Sequence, residues 1–508
     1  MRRTPLIRGL AAALALASAA PVTAVMLDPR GLGQVLVFPY YTVNAGQDTL
    51  LTVVNTSNVG KAVKVTFREG YNGRETLRFN LFLSAHDTWV GAVSSIDGSA
   101  ASGARLGSPD HSCISGLASL PYPFSSAAYT GGPPGPGGGS YPKDSGPQTI
   151  DRTREGFIEM IAIGDIAPGS PTDLAITPVQ TGQPDAGTPP CNLPSSIGVM
   201  NDLVAPTSGL AGSGAIANVA EGTFYTYVAD ALSGFAFAPL ITPISGPDEP
   251  NLSSAQARPS SHGVVATVFD ASGEPLQIEY ARGIDAVSAV FMADSISNDY
   301  LIADALGANT DWVITFPTKQ FYVDKGLYPS IITSPFAEPF AARASRLEIP
   351  ADVHDREATS AWPPQRSCNP VVASCATHTA VPAYQVSILA LLPPEATASG
   401  VFGSRLATSP LSYFGSGGSF PPSDSDWIRA DDGWMKLDLA PGDSGAHALA
   451  GGKTLDGADI LLTGLPVTGF MAYNIINSQA APGRLANYGG TFRHRTHWSC
   501  AGALAACE

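Results

Sequence analysis

Residues 441–447 read PGDSGAH, and Gly-Asp-Ser-Gly is a setting in which a serine can be a nucleophile. That chemistry needs a histidine base beside Ser444, an acid to orient it and N–H donors for the oxyanion. The surroundings supply little of this. Ala446 follows Gly445 where a second glycine is wanted, and His447 is only three residues from Ser444 on an extended loop. The other histidine in a suitable small-residue context, His86 in Ser84-Ala85-His86-Asp87, belongs to a different expected domain. The segment reads as the turn that ends a strand over 433–440.

Three other clusters have the residue types for binding. His494 and His497 in FRHRTHW are spaced to share a metal on a helix, but Arg493 and Arg495 place positive charge beside them. A basic C-terminal loop tied down by Cys500 and Cys507 is the expected state. Asp424, Asp426, Asp431 and Asp432 in SDSDWIRADDGW put hard oxygen donors on one loop, as a structural calcium site would. The EF-hand order is absent, and a solvated acidic loop is the competing reading. FPYYTV at 38–43 and FYTYV at 224–228 place Tyr40, Tyr41, Tyr225 and Tyr227 on sheet faces, where rings could stack on sugars. Packing in the core or across strands competes with that use. No glycine-rich phosphate loop joins a strand to a helix, and no cofactor is expected beyond the calcium candidate.

The elements that must position these residues are strands. Val63, Val65 and Phe67 alternate with Lys64, Thr66 and Arg68, which predicts a half-buried strand over 62–68. Leu77, Phe79, Leu81 and Leu83 alternate with Arg78 and Asn80 over 76–83, and Asn72-Gly73 supplies the tight turn between the two. A buried strand ends at Asn55, another follows in DTWVGAVSS, another lies in EGFIEMIAIGD, and a hairpin turns at Glu221-Gly222. The second half repeats the pattern in HGVVATVF, PLQIEYARG, DAVSAVFMA, DWVITFPTK, FYVDK, YQVSILALL, GWMKLDLA and LPVTGFMAYNII. Helix is expected only near 295–306 and 482–487.

Between strands the period collapses. Residues 96–154 contain TGGPPGPGGGSYP, and 165–210 are rich in proline, so both read as long insertions. The expected organisation is a signal peptide over 1–24, a β-sandwich over 25–240, a linker over 241–260 and a second β-sandwich over 261–508. About seven strands in the first sandwich match an immunoglobulin-like count. The fold class is therefore all-β.

The segments VLVFPYYTVNAGQDTLLTVVNTS, AVKVTF, FNLFLSAHDTWVGAV, IDAVSAVFM, TDWVITFPTK and GLPVTGFMAYN resemble a set of secreted proteobacterial proteins. That resemblance implies export and an immunoglobulin-like β-sandwich pattern. It brings no assigned activity and no site residues.

The leader carries Arg2, Arg3 and Arg8, an apolar run over 9–17 and Val22-Thr23-Ala24 before an expected cut. Its removal takes the formal charge from −15 to −18. Such acidity disfavours nucleic acid and anionic lipid as partners. No later segment is apolar enough for a membrane helix, so no membrane insertion is expected. Six cysteines in an exported chain favour disulfides: Cys368 with Cys375, Cys500 with Cys507, and Cys113 with Cys191 by elimination.

Two functions remain. The first is a non-catalytic protein of the periplasm, cell surface or exterior that works through surface contacts in a structural or adhesive role. Its partner, a protein or polysaccharide surface, would meet the insertions or an open sheet edge. The second is a secreted hydrolase or polysaccharide-binding protein with a site built from distant loops.

Overall fold

The computed structural model describes residues 24–502 apart from 134–139, 180–186, 241–248, 260, 270–272, 332–333, 358, 360–378, 393–398, 408–410, 414–426, 429, 443–446 and 478–479. All but the last residue of the expected leader falls outside these residues.

Period-two patterning in the first half folds as two packed sheets. An eight-stranded sheet runs in the order Met26–Leu27, Asp230–Ser233, Val35–Thr42, Glu155–Ile166, Gly60–Glu69, Glu75–Leu83, Cys113–Ser115, and Leu203–Val204 pairs with the end of Glu155–Ile166. A six-stranded sheet runs Thr223–Val228, Leu210–Asn218, Asp48–Asn55, Thr88–Ser95, Ala104–Gly107, Tyr122–Pro123. Trp89 of the second sheet packs on Phe79 of the first, their ring centroids 6.1 Å apart. Both expected hairpins are present, with Gly73 at φ 71° and Gly222 at φ 67°, values that glycine adopts without a Cβ clash.

The second half holds a six-stranded sheet centred on Ala308–Thr315 and a five-stranded sheet centred on Asp432–Asp438. A further five-stranded sheet runs Val264–Phe269, Pro275–Tyr280, Ala448–Thr454, Asp459–Thr463, Ser499–Gly502. The molecule is all-β in class, and it has more sheets than two seven-stranded sandwiches would use.

Several local expectations are corrected. DAVSAVFMA is not a strand: Gly283–Phe291 is a helix whose residues from Ile284 onward are all buried. The helix has no solvent face, and so short an apolar run reads equally well as a buried strand. Asp285 and Ser288 are satisfied inside, Asp285 by Arg282 and the Tyr322 hydroxyl, Ser288 by Thr318 and Tyr322. FYVDK likewise begins inside a helix, Lys319–Val323. The helix expected near 295–306 is a strand, Ser295–Leu301, followed by a 3-10 turn at Asp304–Leu306. Residues 482–487 form a turn closed by the Ala481–Arg484 bridge, not a helix.

The strand 62–68 is also not half-buried. All of Gly60–Glu69 is buried, Lys64 and Arg68 included. One face meets the partner sheet, and its charges are covered on both sides: Arg68 pairs with Glu159 at 2.9 Å, and Lys61, near the strand's start, with Asp165 at 2.7 Å.

Candidate functional site

The aromatic strands lead into the molecule, not to its surface. Tyr40 and Tyr41 are 0% exposed, Tyr225 1% and Tyr227 7%. Tyr40 and Tyr225 pack against Phe402 of the second half at 5.4 and 5.5 Å, and Tyr227 stacks on Phe470 at 5.1 Å. The Tyr40 hydroxyl donates to Glu155 at 2.9 Å, and the Tyr41 hydroxyl to the Thr153 carbonyl at 3.2 Å. Burial raises the pKa of all four phenols. As a sugar-stacking platform these tyrosines are ruled out, because no ring face is open. Tyr40, Tyr225 and Tyr227 line the seam between the two halves, and Tyr41 lies within the first half against Phe67 and Phe124.

That seam is held by charge as well. The turn after Gly60–Glu69 inserts Asn72 and Arg74 into the second half. There Arg74 makes a two-armed pair with Asp324, Nη2 to Oδ1 at 2.9 Å, and Asn72 reaches the same carboxylate at 2.8 Å. Arg152 holds Glu69 at 2.7 and 2.8 Å and Asp144 at 2.8 and 2.6 Å beneath the Tyr129 ring. Glu155 accepts from the Ser404 hydroxyl at 2.6 Å and the Arg405 N–H at 2.8 Å. Burial raises the Glu155 and Asp324 carboxyl pKa values, opposed at Asp324 by Arg74. The backbone crosses the seam too, with Val386 N–H to Gly70 O at 2.9 Å and Val25 N–H to Val265 O at 2.8 Å.

The remaining candidates separate. Ser444, Asp424 and Asp426 lie outside the described residues. Asp431 and Asp432 lie within them, and Asp432 pairs with Arg356 at 2.7 Å. Among the described residues no group of three or more His, Cys, Asp or Glu could hold a metal ion. His86 bonds to Asn58 at 2.8 Å. His494 is not on a loose basic loop: it is buried against Trp312, with Nε2 bonded to the Val313 carbonyl at 3.0 Å. Burial lowers its pKa to about 4. His497 turns away to Asp294 at 2.8 Å.

Cys113 and Cys191 form the disulfide assigned by elimination, closing 78 residues of chain. Cys368, Cys375 and Cys507 lie outside the described residues, and Cys500 is buried. The 113–191 bond fixes the middle of the second insertion. Cys191 N–H also donates to the Ala175 carbonyl at 2.9 Å. Two short helices stand on this anchor, Pro171–Ile176 and Ser196–Asn201. Each starts on a serine cap, Ser170 or Ser195, and Thr172 N–H and hydroxyl bind Asp202 at 2.9 and 2.6 Å, joining one helix to the end of the other. At its foot Thr207 bonds to Asp165 and accepts from the buried Lys61.

This well-anchored excursion buries Ala175 and Ile176 yet leaves four of its larger aliphatic side chains outside. Leu174 is 66% exposed, Val179 53%, Ile197 67% and Val204 49%. The helix Ser196–Asn201 carries Ile197, Val199 and Met200 and buries no residue. This patch was missed in the sequence because glycine and proline mask any period there. The signal available was the recurrence of Leu, Ile, Val and Met inside loop-like text.

A cleft of about 390 Å³ opens elsewhere on the seam, between Leu27–Gly31, Val228–Ala231 and Arg493. Its charged groups pair with one another: Arg30 with Asp28 at 3.0 Å, and Arg493 with the buried Asp230.

No family model, curated protein or solved structure matches the chain. No helix of the described residues is long and apolar enough to cross a membrane.

Proposed function

We propose that this is an exported, non-catalytic β-sandwich protein that acts through surface contact in the cell envelope or outside the cell. One observation carries the reading: the excursion 165–210 is pinned by a disulfide, caps and a buried ion pair, yet holds Leu174, Ile197 and Val204 in solvent. Aliphatic groups held outside on so firmly pinned a segment make a rigid apolar knob of the kind a docking partner covers. The disulfide supports an oxidising compartment, in line with the leader. The immunoglobulin-like kinship and secretion implied by the sequence resemblance belong to the same reading.

The test is site-specific photo-crosslinking in the producing cell. A photoreactive residue at 174 or 197 should give a discrete adduct, and one at Leu455, 55% exposed on a hairpin of another sheet, should give none. No adduct from 174 or 197, or the same adducts from 455, contradicts the reading.

A further inference from the structure

Resting on that reading, we propose that the partner is a protein presenting a cationic amphipathic segment, docked with its apolar side on Leu174, Ile197 and Val204 and its basic rim on Asp173 and Asp202. The charge pattern of the chain argues for it. From Glu155 to Ala257 the sequence contains no lysine, arginine or histidine, yet it has Glu155, Glu159, Asp165, Asp173, Asp202, Glu221 and Asp230 among its acids. The structure sorts these acids into two kinds. Those that are buried borrow partners from elsewhere in the chain: Glu159 from Arg68, Asp165 from Lys61, Asp230 from Arg493.

Asp173 and Asp202 are different. They are half-buried, Asp173 next to Leu174 and Asp202 two residues from Val204, and among the described residues they accept from the chain's own N–H and hydroxyl groups, Gly169 N–H at 2.8 Å and Thr172 as above. Neither has a cation among the described residues. Those bonds hold both carboxylates in place, with no counter-charge beside them among the described residues. Lys61, the base at the foot of the excursion, is 0% exposed and committed to Asp165 and Thr207. An apolar patch bordered by fixed anions with no counter-charge is complementary to leucine-rich, lysine-flanked surface and repels the acidic equivalent.

The experiment is a titration of the purified mature protein with a Leu/Lys amphipathic helical peptide, beside a Leu/Glu peptide of the same pattern. The Leu/Lys peptide should bind with salt-sensitive affinity and the Leu/Glu peptide should not. Leu174→Ser with Ile197→Ser should weaken binding roughly tenfold or more, since each removes a buried aliphatic contact. Asp173→Asn should weaken it less and flatten the salt dependence. Leu174 and Ile197 are exposed and Asp173→Asn keeps an acceptor for Gly169 N–H, so a matching unfolding midpoint in each variant shows that the fold is intact.

Three results overturn the proposal: unchanged binding in the double variant, which would assign the effect to net charge alone; equal or absent binding of the two peptides; or a concentration-dependent dimer that the double variant dissolves, which would make a second copy the occupant. Failure here with crosslinks from 197 retained removes only the cationic partner. Loss of the crosslinks removes the docking reading itself.

Discussion

The seam and the excursion invert each other. At the seam and just behind it, tyrosines and ionisable side chains that could face water are sealed inside; Arg74, Arg152, Glu69 and Asp324 are all nearly inaccessible. On the excursion, leucine, isoleucine and valine that could be sealed stand outside. The difference teaches that residue type alone does not locate function in this chain. Aromatics and paired carboxylates, the usual markers of a site, here serve the join between halves. Plain aliphatic residues in a proline-rich loop mark the surface open to a partner.

Breaking the seam should have the largest effect. Arg74→Met leaves Asp324 buried without its cation, and breaking a buried pair costs about 3–5 kcal/mol. Chemical denaturation should show that loss in one transition, because the two halves share one continuous core. Two separate transitions in the unaltered protein would mean the seam is only a loose contact. Phe402→Ala should cost a similar ~3–5 kcal/mol by emptying the space between Tyr40, Tyr225 and Phe470.

A smaller, pH-dependent effect follows from His494. Its folded pKa is lowered by burial to about 4 from 6.5, so the unfolded chain takes up the proton first. Stability is then lost as pH falls from 6.5 to 4, by an amount of order 3 kcal/mol at about 1.4 kcal/mol per pKa unit. Thermal melts of His494→Gln should show that slope removed. Lys319 gives the same sign in an alkaline window. Burial lowers its pKa to about 7 from 10.5, so its unfavourable charge is fully present below 7 and relieved as pH rises toward 10.5. Lys319→Met should abolish that rise.

The smallest effect sharpens the comparison. Leu174→Ser and Ile197→Ser should each change stability by no more than about 0.5 kcal/mol, since exposed positions away from special features tolerate change. A loss as large as at Phe402 would show that the patch is core after all.

How much of this was legible follows from what each element buries. Strands with one wet face, such as Glu75–Leu83 and Asp432–Asp438, alternate and are legible as strands, Glu75–Leu83 with the right inward residues Leu77 and Phe79. Gly283–Phe291 and Lys319–Val323, closed on every side, carried no period and were read as strands. Asn72-Gly73 was legible as a turn, but its burial was not, because the partner Asp324 stands some 250 residues away. Tyr40 and Tyr227 had the chemistry of a sugar platform, and only the opposing Phe402 and Phe470 reveal them as interior.

Hydroxyl-radical footprinting of the protein in its native envelope or secreted assembly, set against the purified chain, tests surface docking most directly. Leu174, Met200 and Val204 should be oxidised readily in the isolated protein and protected in the native setting, with Leu455 equally reactive in both. Equal oxidation of the excursion in the two settings would contradict a partner-covered surface.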